Sequence, residues 1–132
     1  MMSENENENE YADLLEEIVY SNEAIRLAAI CGNFGTITEK VVKEGVTLYL
    51  SDKDTEKLLA ESIHSWKTRR LFSQQIGNGQ YAIAVYDKLI RMSIPVNQYQ
   101  ILLVTMEVIL EVPKLIVDIK KILERSPCID VD

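Results

Sequence analysis

Few residues in this sequence are equipped for chemistry, and they are scattered. His64 is the only histidine. As a metal ligand it would need a second histidine or clustered cysteines at short spacing. Cys31 and Cys128 lie far apart and match no such spacing, so both read as free thiols. As a general base His64 would need a nucleophile within reach, and the pattern indicates none. The basic cluster is Lys67, Arg69 and Arg70. On a helix these spread around the cylinder rather than forming one patch. They suit the C-terminal end of a helix dipole, or the docking of an acidic partner surface. "GNFG" at 32–35 and "GNG" at 77–79 have no lysine following and open no helix after a strand, so they read as turns, not phosphate cradles. The expectation is a protein that is not an enzyme, with no catalytic residue, no metal and no cofactor.

Composition bounds the alternatives. The 132 residues suit one domain, and a hydrophobic share of 47% suits a globular one. The net charge is −7, and Glu4, Glu6, Glu8 and Glu10 in "SENENENE" account for much of it, leaving about −3 for the rest. Without positive charge or aromatic interleaving, nucleic acid is not an expected partner. No uncharged apolar stretch approaches the roughly 20 residues that span a bilayer. The richest one, "ILLVTMEVILEV", is interrupted by Glu107. No basic segment followed by an apolar run opens the sequence, so a cytoplasmic location is expected.

The elements that must position these residues follow from periodicity. Residues 1–10 are too polar to offset the entropy of ordering and read as a disordered acidic tail. Residues 126–132 read as a C-terminal tail. Between them, 11–125 reads as the folded domain. A first helix is expected from about Tyr11 to Tyr20, with Tyr11, Leu14, Leu15, Ile18 and Val19 on one stripe. "AIRLAAIC" at 24–31 is apolar on both faces and suits a central strand. "TITEKVV" at 36–42 alternates, with Ile37, Glu39 and Val41 on one side, and suits a strand nearer the sheet edge. Ser51 is a good N-cap for a long helix expected to run to about Gln75, with Asp52 and Asp54 in its first turn. Its stripe is Leu59, Ile63, Trp66 and Arg70, widened by Leu58 and Phe72. A hairpin turning at Asp87-Lys88, whose first strand is Tyr81 to Tyr86, supplies the third and fourth strands, and a fifth lies within 98–108. A last helix spans 112–125, with Leu115, Ile116, Ile119, Ile122 and Leu123 as its buried face and Pro113 in its first turn. The fold class is therefore α+β, ordered α-β-β-α-β-β-β-α. It comprises a five-stranded antiparallel sheet with the long helix on one face and the terminal helices on the other.

"IRLAAICGNFG", "LYLSDKDTEKLL", "GNGQYAIAVYDKLIRMSIPV" and "QILLVTMEV", in this order, resemble the roadblock/LC7 domain and its longin and profilin-like relatives. More narrowly, the pattern is similar to a small archaeal (thaumarchaeal) family of such domains. One departure is the first turn, Asn33-Phe34-Gly35, where roadblock sequences more often place an acidic residue beside the glycine. The resemblance implies that the third strand lies at a sheet edge and that two copies join through that strand and the long helix. It also implies that such domains serve as platforms or regulators for small GTPases. The implied function is a non-catalytic, dimeric interaction or regulatory module. The alternative is a small-molecule-sensing domain of profilin-like fold, holding its ligand between helix and sheet.

Edges are usually blunted by charge, proline or bulges. Tyr81 to Tyr86 has none of these, although Arg91 and Pro95 lie on the strand beside it. Tyr81, Ile83 and Val85 share one face; Ala82, Ala84 and Tyr86 share the other, where small alanines would let a helix approach closely. The expected interface between two copies is Trp66, Arg70, Tyr81, Ile83, Val85 and Tyr86.

Overall fold

The computed structural model describes residues 4–109 and 111–129. The chain runs α1 (Glu4–Val19), β1 (Ile25–Cys31), β2 (Ile37–Val42), α2 (Asp52–Arg70), α3 (Ser73–Ile76), β3 (Ala82–Val85), β4 (Ile90–Pro95), β5 (Ile101–Met106) and α4 (Val112–Arg125). The five strands form one antiparallel sheet in the order β2-β1-β5-β4-β3. β1 and β5, the strands apolar on both faces, are internal, and β2 and β3 are the edges.

Two cores flank the sheet. On one face Leu15, Ile18, Ile30, Met92, Leu102, Ile119 and their neighbours join α1 and α4 to the strands. On the other, Leu27, Ala29, Cys31, Leu59, Ile63, Trp66 and Leu103 join α2 to them. A strand covered on both sides must be apolar at every position, which is why "IRLAAIC" and "ILLVTM" show no alternation. The charged exception on β1 is Arg26, which is buried. Its guanidinium donates to Glu107 Oε1 at 2.6 Å and to the Thr47 carbonyl at 2.7 Å, and it stacks on the Tyr49 ring. Glu107, which interrupts the longest apolar run, is thus the counter-ion of this arginine.

The helices differ from expectation at their ends. α1 starts at Glu4, ahead of Tyr11. Nothing in "ENENENE" breaks a helix, since it holds no glycine or proline. α2 stops at Arg70, a turn short of Gln75, and the chain restarts as α3. Phe72, expected on the buried stripe, therefore swings out and is exposed. Ser51 caps α2 as expected, its Oγ accepting from the Asp54 N–H at 3.1 Å.

β2 also departs from simple alternation. A bulge shifts the register between Ile30 and Cys31, leaving Thr38 as the extra residue. Ile37 then packs on the α2 side while Val41 packs on the α1 side, so the two do not share a face. The Ile37 N–H, freed from the ladder, donates to Glu56 of α2 at 3.0 Å.

The preceding turn is pressed against α2. Gly35 has φ +84°, and a Cβ there would stand 2.8 Å from the Ala60 amide nitrogen. Gly35→Ala combines the left-handed backbone cost, roughly 1–2 kcal/mol, with a clash against helix backbone. A fall in denaturant midpoint at unchanged m-value checks this.

Candidate partner interface

β3 is bounded on one side only. It pairs with β4 through Ala82–Ser93, Ile83–Met92, Ala84–Arg91 and Val85–Ile90. The Tyr86 N–H donates to the Leu89 carbonyl at 2.8 Å, which makes 86/89 a hydrogen-bonded pair. Such pairs alternate along an antiparallel ladder. Ala82, Ala84 and Tyr86 therefore bond to β4, and the backbone N–H and C=O groups of Ile83 and Val85 point outward. The other edge is guarded: β2 carries a bulge and the polar run Thr38-Glu39-Lys40. β3 is blunted only by its length of four residues.

Side chains sort along this edge as alternation requires. Ile83 is half-buried against the α1–α4 core, while Tyr81 and Val85 are exposed on the same side, Val85 at 67%. Ala82 packs toward α2. Ala84 and Tyr86 line a cleft of about 240 Å³ whose opposite wall is the Leu58, Glu61, Ser62 and Ser65 face of α2. The small alanines leave this cleft open beside the helix.

Of the expected interface residues, Tyr81, Ile83, Val85 and Tyr86 lie together on the edge. Trp66 does not join them: it is 3% exposed, sealed between α2 and the sheet, with its indole N–H donating to Ser93 Oγ at 3.0 Å. Its role is to hold α2 on the sheet. Arg70 is exposed at the C-terminal end of α2, with Nη2 3.4 Å from the Asn97 carbonyl. Arg91, read from the sequence as a strand guard, lies inside the sheet and faces the cleft. The pattern "IRMSIP" carried that signal, since apolar Ile90, Met92 and Ile94 alternate with polar Arg91 and Ser93.

The basic residues of α2 are also placed differently from expectation. Lys67, Arg69 and Arg70 do not spread apart in effect. The fold brings Lys120 of α4 beside them, around a groove of about 650 Å³ that also takes in Asn97, Tyr99 and Gly79. Lys67 sits over the Phe34 ring and Arg69 over Trp66. His64 is exposed. Among the described residues no group of three or more His, Cys, Asp or Glu is placed to hold a metal ion. No helix among them is long and apolar enough to cross a membrane.

Burial pushes the Cys31 thiol up to about 12, against the opposing pull of the Arg91 guanidinium. The raised value keeps the group neutral in the fold. Its contribution to stability is fully present below the unfolded value of 9.0 and is lost as pH rises toward about 12. Only the thiolate reacts, so alkylation at pH 8 is expected to modify partly buried Cys128 quickly. Cys31 should react at the rate of global unfolding. Mass spectrometry of timed aliquots distinguishes the two.

This sheet order, with α2 on one face and paired terminal helices on the other, is the roadblock/LC7-like architecture. A roadblock/LC7 domain from Streptomyces avermitilis superposes with a TM-score of 0.65 at 10% identity, covering 86% of this chain and 91% of that one. The gliding protein MglB from Thermus thermophilus superposes with a TM-score of 0.72 at 11% identity, covering 94% and 89%. An MglB solved with a tetrameric arrangement gives a TM-score of 0.73 at 10% identity, covering 94% and 88%. No curated protein matches the sequence. The chain belongs to a family described as "Family of unknown function (DUF6659)", whose model matches residues 2–126.

Proposed function

We propose that this protein is a non-catalytic interaction module that forms a two-fold dimer through β3 and α2 and presents the resulting surface to a protein partner. The observation that carries this reading is the open edge of β3. There the outward backbone groups of Ile83 and Val85 stand beside exposed Tyr81, Val85 and Tyr86, with no charge or proline in the strand. Edge-to-edge pairing would satisfy those groups and continue the sheet across two copies. The tetrameric arrangement of a fold-related MglB supports self-association as a use of this architecture. The resemblance to roadblock domains makes a small GTPase the partner of choice. The groove at the C-terminal end of α2, lined by Lys67, Arg69 and Arg70 and reached by Lys120 of α4, offers that partner a positive face.

Sedimentation equilibrium at micromolar concentration tests the dimer, and a single monomeric species would overturn it. Capture of purified small GTPases in each nucleotide state tests the partner. Dependence of capture on Lys67 and Arg70 supports docking at the groove. Dose-dependent thermal stabilisation by a metabolite, with no GTPase captured, would instead favour a ligand sensor.

A further inference from the structure

The cleft between α2 and β3 has a charged floor. Arg91 is 8% exposed, and its Nη2 atom is buried with no hydrogen-bond partner among the described residues. A buried guanidinium nitrogen left unpaired is strongly unfavourable, so an oxyanion is the natural complement. The wall of the same cleft carries one carboxylate, Glu61, which is exposed and makes no hydrogen bond or ion pair among the described residues. The two groups share a cleft but do not meet.

We infer that Glu61 of each copy pairs with Arg91 of the other, closing the cleft across the dimer's two-fold axis; this rests on the dimer proposed above. Isologous contact is reciprocal: if α2 of one copy covers the cleft of the second, α2 of the second covers the cleft of the first. A surface of this kind must hold both halves of each pair, and this cleft holds one acid, Glu61, and one buried base without a partner, Arg91. The other acids of α2 are less suited. Asp52 is bound to Lys40 at 2.6 Å, Glu56 holds the Ile37 N–H on the β2 side, and Asp54 lies in the first turn. Ala82 and Ala84 leave room above the strand for the incoming helix. Arg69, on the rim, adds a second positive charge toward the same carboxylate.

The test is a double-mutant cycle on the full chain by sedimentation equilibrium, using Glu61→Gln, Arg91→Met and both together. Asp87→Asn at the hairpin joint is the control. Each single change is expected to weaken self-association at least about tenfold, and the double variant no more than either single, as for a close pair. Reversal of both charges, Glu61→Arg with Arg91→Glu, is expected to recover much of what either reversal alone loses. Thermal melts confirm that each variant folds. A wild-type dimer in which the two changes simply add overturns the pairing and leaves the dimer standing. A wild-type monomer overturns the dimer and the pairing together. Stabilisation of the monomer by acetate, with Glu61→Gln without effect on association, assigns Arg91 to a small carboxylate ligand and also overturns the inference.

Discussion

Val85→Pro is expected to raise the dissociation constant of the dimer by about 100-fold while leaving the monomer folded. The Val85 N–H points away from β4, so proline removes a donor that the intramolecular ladder does not use. The Val85 side chain is 67% exposed, so little packing is lost. A partner strand arriving at this edge meets no N–H, and its own carbonyl is left unsatisfied at a cost of about 1–3 kcal/mol. Two-fold symmetry imposes that loss twice, roughly 2–6 kcal/mol in total, which brackets a 100-fold change. Sedimentation equilibrium reads the constant, and circular dichroism checks the fold. If association is unchanged, the copies meet elsewhere and the open edge is not its cause.

Trp66→Ala should be the most damaging single substitution in the α2 layer. The indole is sealed among Leu59, Ile63, Ala29 and Leu103, and it is the element that joins the C-terminal half of α2 to the sheet. Truncation leaves a large cavity, at a cost of about 3–5 kcal/mol. It also strands the Ser93 hydroxyl, which is 7% exposed and accepts the indole N–H. Against a total stability of about 5–15 kcal/mol, this lowers the melting temperature by roughly 10–20 °C. Trp66→Phe keeps the ring volume in part and loses mainly the hydrogen bond, about 1–2 kcal/mol. Calorimetry of the three proteins separates the two contributions. The chain has also shaped itself to this ring: a Cβ at Gly79 would lie 2.5 Å from Trp66 Cζ3, so only glycine fits there.

Residues that the sequence alone groups together are separated by the fold. Trp66 and Val85 both read as interface, yet one is core and the other edge. Helical spacing showed that Trp66 faces inward on α2. It did not show whether the neighbour on that side is the chain's own sheet or another molecule. The end of α2 shows a similar limit: Phe72 fits the apolar stripe by spacing, but the helix stops first and the ring faces solvent. Thr38 hides a bulge, because an extra residue in a strand leaves no mark on composition.

The sequence by itself determined the order of the strands and main helices (though not the separate short α3), the internal place of β1 and β5, the buried stripes of α1 and α4, and the cap at Ser51. All of these depend on local periodicity, burial pattern or hydrogen bonding within a few residues. Only the tertiary structure decided that Arg91 faces Glu61 across a cleft without touching it, and that Lys120 completes a basic groove with α2. Those arrangements join residues some 30 to 50 positions apart, brought together by sheet order and helix placement, which no short window of sequence encodes.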